Sequence, residues 1–154
     1  MSKERAIASH VMLAISGLQS VKKLGLEDRN SANLLFYVAE NLILAVLTSE
    51  DVDVRRVRST VGNHQLDRMI DCLPDQCSVK TDLGNLAPLT AFATTYRYPE
   101  PSGGIPEAPK TPLVENWYND LFKVAELFAR HFRVPGKDSR PLAGYVGPFR
   151  RLDG

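Results

Sequence analysis

The sequence predicts an all-α protein, an antiparallel up-and-down bundle of four to five helices. Three observations carry that expectation. Apolar residues recur at helical spacing over long stretches, no stretch alternates apolar and polar residues for long enough to make a strand, and turn-forming residues gather between the helical stretches. With 154 residues, 44% of them hydrophobic and 24% charged, the chain can bury a single core without cross-links.

Ile7, Val11, Ala14, Leu18 and Val21 fall on one stripe of a first helix, expected from about Lys3 to Lys23 and ending near Gly25. After the polar turn Glu27-Asp28-Arg29-Asn30, Leu35, Ala39, Leu42 and Val46 mark a second helix. Phe36, Ile43 and Leu47 widen its apolar face to nearly the whole circumference, as befits a central helix. Glu40 and Asn41 interrupt that helix at its middle and need partners there. Ser49 to Asn63 reads as a charged connector, with Gly62-Asn63 supplying a turn and N-cap for a short helix through Leu66, Met69, Ile70 and Leu73 that Pro74 stops. A fourth segment, about Val79 to Tyr98, is bent or split because Gly84 and Pro88 lie inside it. Five prolines and Gly103-Gly104 make residues 99–112 a surface loop. Thr111-Pro112 reads as cap and first-turn proline of a last helix carrying Leu113, Trp117, Leu121, Val124, Phe128 and His131.

Residues 1–132 thus form the bundle and 133–154 a Gly/Pro-rich basic tail, expected to be extended. The formal charge of +1 is unevenly shared. The tail has Arg133, Lys137, Arg140, Arg150 and Arg151 against Asp138 and Asp153, a net +3, which leaves −2 for the bundle. A bundle of that sign lacks the broad basic footprint of a general nucleic-acid binder, although Arg55, Arg56 and Arg58 cluster locally. The tail alternates Arg with Tyr145 and Phe149, a composition suited to laying an arm on a partner chain or RNA, and equally to a disordered segment. Cys72 and Cys77 have neither the spacing of a zinc or redox pair nor that of a disulfide framework, and reduced thiols suit a cytoplasmic location. The N-terminus has no signal-peptide core, and the apolar run Leu34–Leu47 is too short and too polar to span a bilayer. No metal or cofactor is expected, since three dispersed histidines and two cysteines lack ligand spacing and no phosphate-binding glycine loop is present.

Three segments in order say more about kinship: Tyr37–Leu47, His64-Gln65-Leu66-Asp67-Arg68-Met69, and Tyr96-Arg97-Tyr98-Pro99. Together they resemble the HEPN (higher eukaryotes and prokaryotes nucleotide-binding) family over roughly residues 3–132. The first is similar to that family's "AxxxxEKxLKALL" second helix, the second to its "HDLxxL" helix start and the third to its "RYP" helix end. Gln65 stands where the family usually has Asp, and Asn41 and Ile43 replace basic residues common in the second helix. The resemblance implies a helical bundle that pairs as a homodimer and accompanies a nucleotidyltransferase-like partner in toxin–antitoxin or defence systems. Some branches are metal-independent ribonucleases carrying Arg-x(4–6)-His.

The candidate site residues follow. Arg58 and His64 match Arg-x5-His, with an imidazole to move a 2′-hydroxyl proton and a guanidinium to hold the phosphate. Arg5 and His10 match the pattern as well, and with 12 arginines and three histidines about 0.7 matches are expected by chance. The motif alone therefore does not make a catalytic pair. His64 and Arg68, one turn apart, form either a phosphate pocket or a helix start tied to its neighbours. Tyr96, Arg97 and Tyr98 either stack a base and meet its phosphate or simply close a helix. Glu40 orients His64 or Arg68 across the bundle, or sets helix register. His10 and His131 read as ordinary packed or surface residues. The sequence thus points to a HEPN-like module without catalysis that binds a nucleotide, RNA or a nucleotidyltransferase-type partner. A metal-independent endoribonuclease and a purely structural dimerisation protein are the alternatives.

Overall fold

The computed structural model describes residues 1–61, 65–136 and 141–152. Among these the chain is all helical, without strands, as its periodicity predicts. Three long helices make the frame: α1 (Lys3–Leu24), α2 (Arg29–Ser49) and α7 (Thr111–His131). Between α2 and α7 lie α3 (Val54–Val61), α4 (Leu66–Asp71), α5 (Lys80–Gly84), a 3-10 turn (Ala87–Leu89) and α6 (Thr90–Thr94).

Local chemistry sets the ends of the first two helices. The Ser2 hydroxyl accepts from the Arg5 amide at 3.3 Å and starts α1. Gly25, at φ +96°, ends it, and Asp28 caps α2 by accepting from the Asn30 amide at 2.8 Å. The fully buried Ser31 hydroxyl donates to the Gly25 carbonyl at 2.7 Å, which pins the turn between the two helices. Along the α1–α2 contact, Gly17 lets the backbones approach, because a Cβ there would stand 2.7 Å from Val38 Cγ2.

α2 is the hub, touching α1, α3, α4, α6 and α7. Leu35, Phe36, Leu42, Ile43, Val46 and Leu47 are all fully buried, each such side chain contributing about 1.5–3 kcal/mol of transfer free energy. The helix extends beyond the apolar run on both sides. At 21 residues it is long and apolar enough, by length and composition, to cross a membrane, but 67% of its most apolar window is buried inside this bundle, as in a core helix.

Two expectations change. The connector after Ser49 is not irregular throughout: Val54–Val61 is helical, with Val57 buried. The last helix begins one residue earlier than its proline suggests. Lys110 occupies the cap position, its carbonyl accepting from Leu113 and Val114, and Thr111 is already helical. The Gly62-Asn63 cap and His64 lie outside the described residues.

The tail returns across one pole of the bundle, where α1 starts and α2 and α7 end. The Ala143, Gly144 and Tyr145 amides donate to the carbonyls of Glu4, Arg133 and Phe132, and the Ser78 amide donates to Phe149. Phe149 is 94% buried, its ring stacked on His131 at 3.6 Å and 16°. His131 Nε2 donates to the Gly147 carbonyl at 2.9 Å. Arg150 closes the strap with two hydrogen bonds to Glu50, whose side chain is only 4% exposed. Phe149 is therefore core, not an arm held out to a partner.

Phe149→Ala should cost about 3 kcal/mol in urea unfolding, since it empties a ring-sized site in a packed cluster. A loss below about 0.5 kcal/mol would mean that the strap does not hold in solution.

Candidate functional site

α2 is apolar on all sides but one. Asn30, Asn33, Tyr37 and Glu40 follow one another at spacings of three or four along its remaining stripe, and Asn41 stands four beyond Tyr37, so they share a face. Each polar group at the middle of that stripe is answered by a different segment. The Asn41 amide nitrogen donates to the Tyr37 carbonyl at 3.0 Å, leaving Asn41 Oδ1 to accept from His10 Nδ1 of α1 at 2.9 Å. That arrangement fixes the proton on Nδ1 of the neutral ring. Glu40, with a side chain 13% exposed, takes a hydrogen bond from Arg58 of α3 at 3.4 Å. The Tyr37 hydroxyl accepts from Arg97, just beyond α6, at 3.1 Å.

Burial pushes the His10 imidazole below its ordinary pKa. The Asn41 hydrogen bond opposes that shift, Arg58 reinforces it and Glu40 opposes it, in decreasing order of size. His10 is therefore a neutral, oriented ring packed against the stripe, with a defined partner that its place on an ordinary helix face did not reveal.

At the N-terminal end of the stripe the chain opens into a cleft of about 220 Å³. Its walls come from α2 (Arg29, Asn33) and from the end of α6 and the loop beyond (Tyr96, Arg97, Tyr98, Pro106). Arg29 holds the loop in place, donating to the carbonyls of Tyr96 at 3.4 Å and Pro106 at 3.1 Å. Tyr96 packs edge-on to Phe92 at 5.6 Å. Tyr98 is largely exposed, with the Arg97 guanidinium 5.7 Å from its ring centre. Asn33 Oδ1, in the same wall, is buried without a hydrogen-bond partner. An unmatched buried acceptor costs about 1–3 kcal/mol, so its presence here needs a reason.

The sequence-derived candidates thus divide. Tyr96, Arg97 and Tyr98 meet at this cleft, whereas Glu40 is paired with Arg58 farther along α2 and neither lines it. Arg68 is exposed on α4, where its carbonyl accepts from the Cys72 thiol at 3.4 Å, and it too stands outside the cleft. His64 lies outside the described residues, so its pairing with Arg58 has no geometry to report. The residues not singled out from sequence are Arg29 and Asn33. Arg29 reads there as part of a polar turn, yet the spacing Asn30-Asn33-Tyr37-Glu40 on an otherwise apolar helix was the available signal. Among the described residues no group of three or more His, Cys, Asp or Glu could hold a metal ion. Burial, the largest influence on it, raises the Cys77 thiol above its usual pKa and so keeps it protonated.

The depressed imidazole has a consequence for stability. Between the folded His10 pKa and the unfolded value near 6.5, the unfolded chain binds more protons, so stability rises with pH in that window and falls on acidification through it. His10→Gln should flatten the dependence of unfolding free energy on pH just below 6.5, and an identical slope in the variant would show that His10 is not buried as described.

Comparison with protein-family models, curated proteins and solved structures finds no match to this chain.

Proposed function

We propose that the protein is a HEPN-like module without catalysis whose cleft at the N-terminal end of α2 binds a nucleotide or the nucleotide end of an RNA. The observation that carries this reading is the combination at one open cleft: two guanidinium groups and two tyrosines lining it, with an unmatched amide oxygen buried in its wall. Guanidinium groups offer forked donors to phosphate oxygens, and Arg97 uses one nitrogen on Tyr37 and Arg29 one on the loop carbonyls. The exposed Tyr98 ring presents a face on which a base can stack. Asn33 brings to the same wall an amide oxygen without a partner, an acceptor for an exocyclic base amine once the side chain turns toward the opening. The order of the second-helix, helix-start and Tyr96–Pro99 segments supports the same family reading, and with it a nucleotidyltransferase-type partner.

Titration calorimetry with a panel of nucleoside mono- and triphosphates tests the reading. At least one nucleotide should bind, and Arg97→Ala should weaken it by at least tenfold, about 1.4 kcal/mol. Absence of heat across the panel, or binding indifferent to Arg97→Ala, would contradict the assignment. The ribonuclease alternative requires RNA cleavage in EDTA that His64→Ala abolishes and His10→Ala spares. The binding reading requires no cleavage.

A further inference from the structure

The returning tail builds a second basic surface, at the opposite end of α2 from the cleft. α7 closes with Arg133 at φ +49°, the Val134 amide donating to the Ala129 carbonyl at 3.0 Å and the Arg133 amide to Arg130 at 3.2 Å. Tail amides then reach the next carbonyls, Gly144 donating to Arg133 and Tyr145 to Phe132 at 3.1 Å each. Cationic side chains at a helix end are ordinarily explained as caps for its last carbonyls. Here backbone amides already satisfy the Ala129, Arg130, Phe132 and Arg133 carbonyls, so the guanidinium groups of Arg130 and Arg133 are not taken up in capping them.

Those two side chains, with His131, Tyr145 and Arg150, line an open basin of about 560 Å³. Among the described residues no carboxylate lines it. Arg150 is neutralised from behind by Glu50, while Arg130 and Arg133 make no ion pair among the described residues, so they supply the basin's uncompensated charge. Tyr145 forms part of the wall, 43% exposed, held edge-on to the His131 ring at 5.2 Å and 6.0 Å from the Arg133 guanidinium.

We propose that this basin binds the phosphodiester backbone of a single-stranded nucleic acid, with Arg130 and Arg133 on its phosphates and Tyr145 beneath a base. Charge complementarity selects a polyanion, and an exposed, rigidly held tyrosine beside two arginines is the combination that grips unpaired strands. The bundle's net charge of −2 offers no broad basic footprint along its sides, so the run of the backbone is gripped at this pole. The basin and the cleft are separated by the length of α2, 21 residues or about 30 Å. The proposal therefore goes beyond the nucleotide-binding reading and does not depend on it.

The test is fluorescence anisotropy of the full chain with a labelled twelve-nucleotide oligouridylate between 50 and 200 mM salt. Arg130→Gln/Arg133→Asn, with Asn chosen because it tolerates a positive φ, should weaken binding at least tenfold at the lower salt and reduce the log–log salt slope by about 1.4. Arg130→Gln alone, at an exposed helix position that cannot endanger the fold, should reduce the slope by about 0.7. Arg130→Lys/Arg133→Lys should retain binding within about threefold, because the phosphate contacts are chiefly coulombic. Unchanged affinity and slope in Arg130→Gln and in the double variant would overturn the proposal, as would displacement of the strand by ATP as readily as by unlabelled oligouridylate. Loss of binding in Arg97→Ala but not in these variants would overturn it while leaving the cleft reading intact.

Discussion

The structure depends on the burial of α2. A helix apolar around most of its circumference can be covered only by elements on several sides, and α1, α4, α6 and α7 supply that cover. Gly17 allows a close approach of α1, and His10 on the same helix reaches Asn41. The remaining stripe of α2 is polar, and polar atoms inside a packed bundle must be paired. His10, Arg58 and Arg97 come from three separate parts of the chain to answer Asn41, Glu40 and Tyr37. The same stripe therefore fixes where α1, α3 and the end of α6 sit, and it leads directly into the cleft. The candidate site is a by-product of solving the burial problem of one helix.

Much of this was legible in the residues themselves. The 4-3-4-3 apolar spacing of α1 and the long stripe of α7 are local patterns that survive folding unchanged. Val54–Val61 is not legible as a helix because five of its eight residues are Arg, Ser or Thr, and Val57 is held by tertiary contact, not by a recognisable stripe. Tyr96, Arg97 and Tyr98 were visible as a candidate site from their types and order. Their partners were not, because Arg97 finds Tyr37 across sixty residues of chain and Arg29 finds Pro106 across seventy-seven. The tail gives the clearest case. Glycine and proline announce an extended segment, but nothing in composition says that Phe149 will stack on His131 or that Arg150 will cross to Glu50.

Electrostatically, two groups of arginines stand at opposite ends of one helix. At one end Arg29 and Arg97 stand beside tyrosines and an unmatched amide oxygen; at the other Arg130 and Arg133 stand beside Tyr145. Between them Glu40 takes up the charge of Arg58, and His10 stays neutral because burial outweighs its hydrogen bond. The middle of α2 is in this sense consumed by the fold, and the ends leave arginines and tyrosines in open depressions. The imidazole beside the stripe is committed to Asn41.

The central claim is that the open end of the α2 stripe is a ligand face. Nuclear magnetic resonance of selectively labelled protein tests it most directly, by following the Asn33 side-chain amide and the Arg29 and Arg97 Nε–H signals during a nucleotide titration. The account predicts saturable shifts at all three, with the His10 ring signals unmoved. Shifts centred on His10 and Asn41, with Asn33 and Arg97 silent, would contradict it.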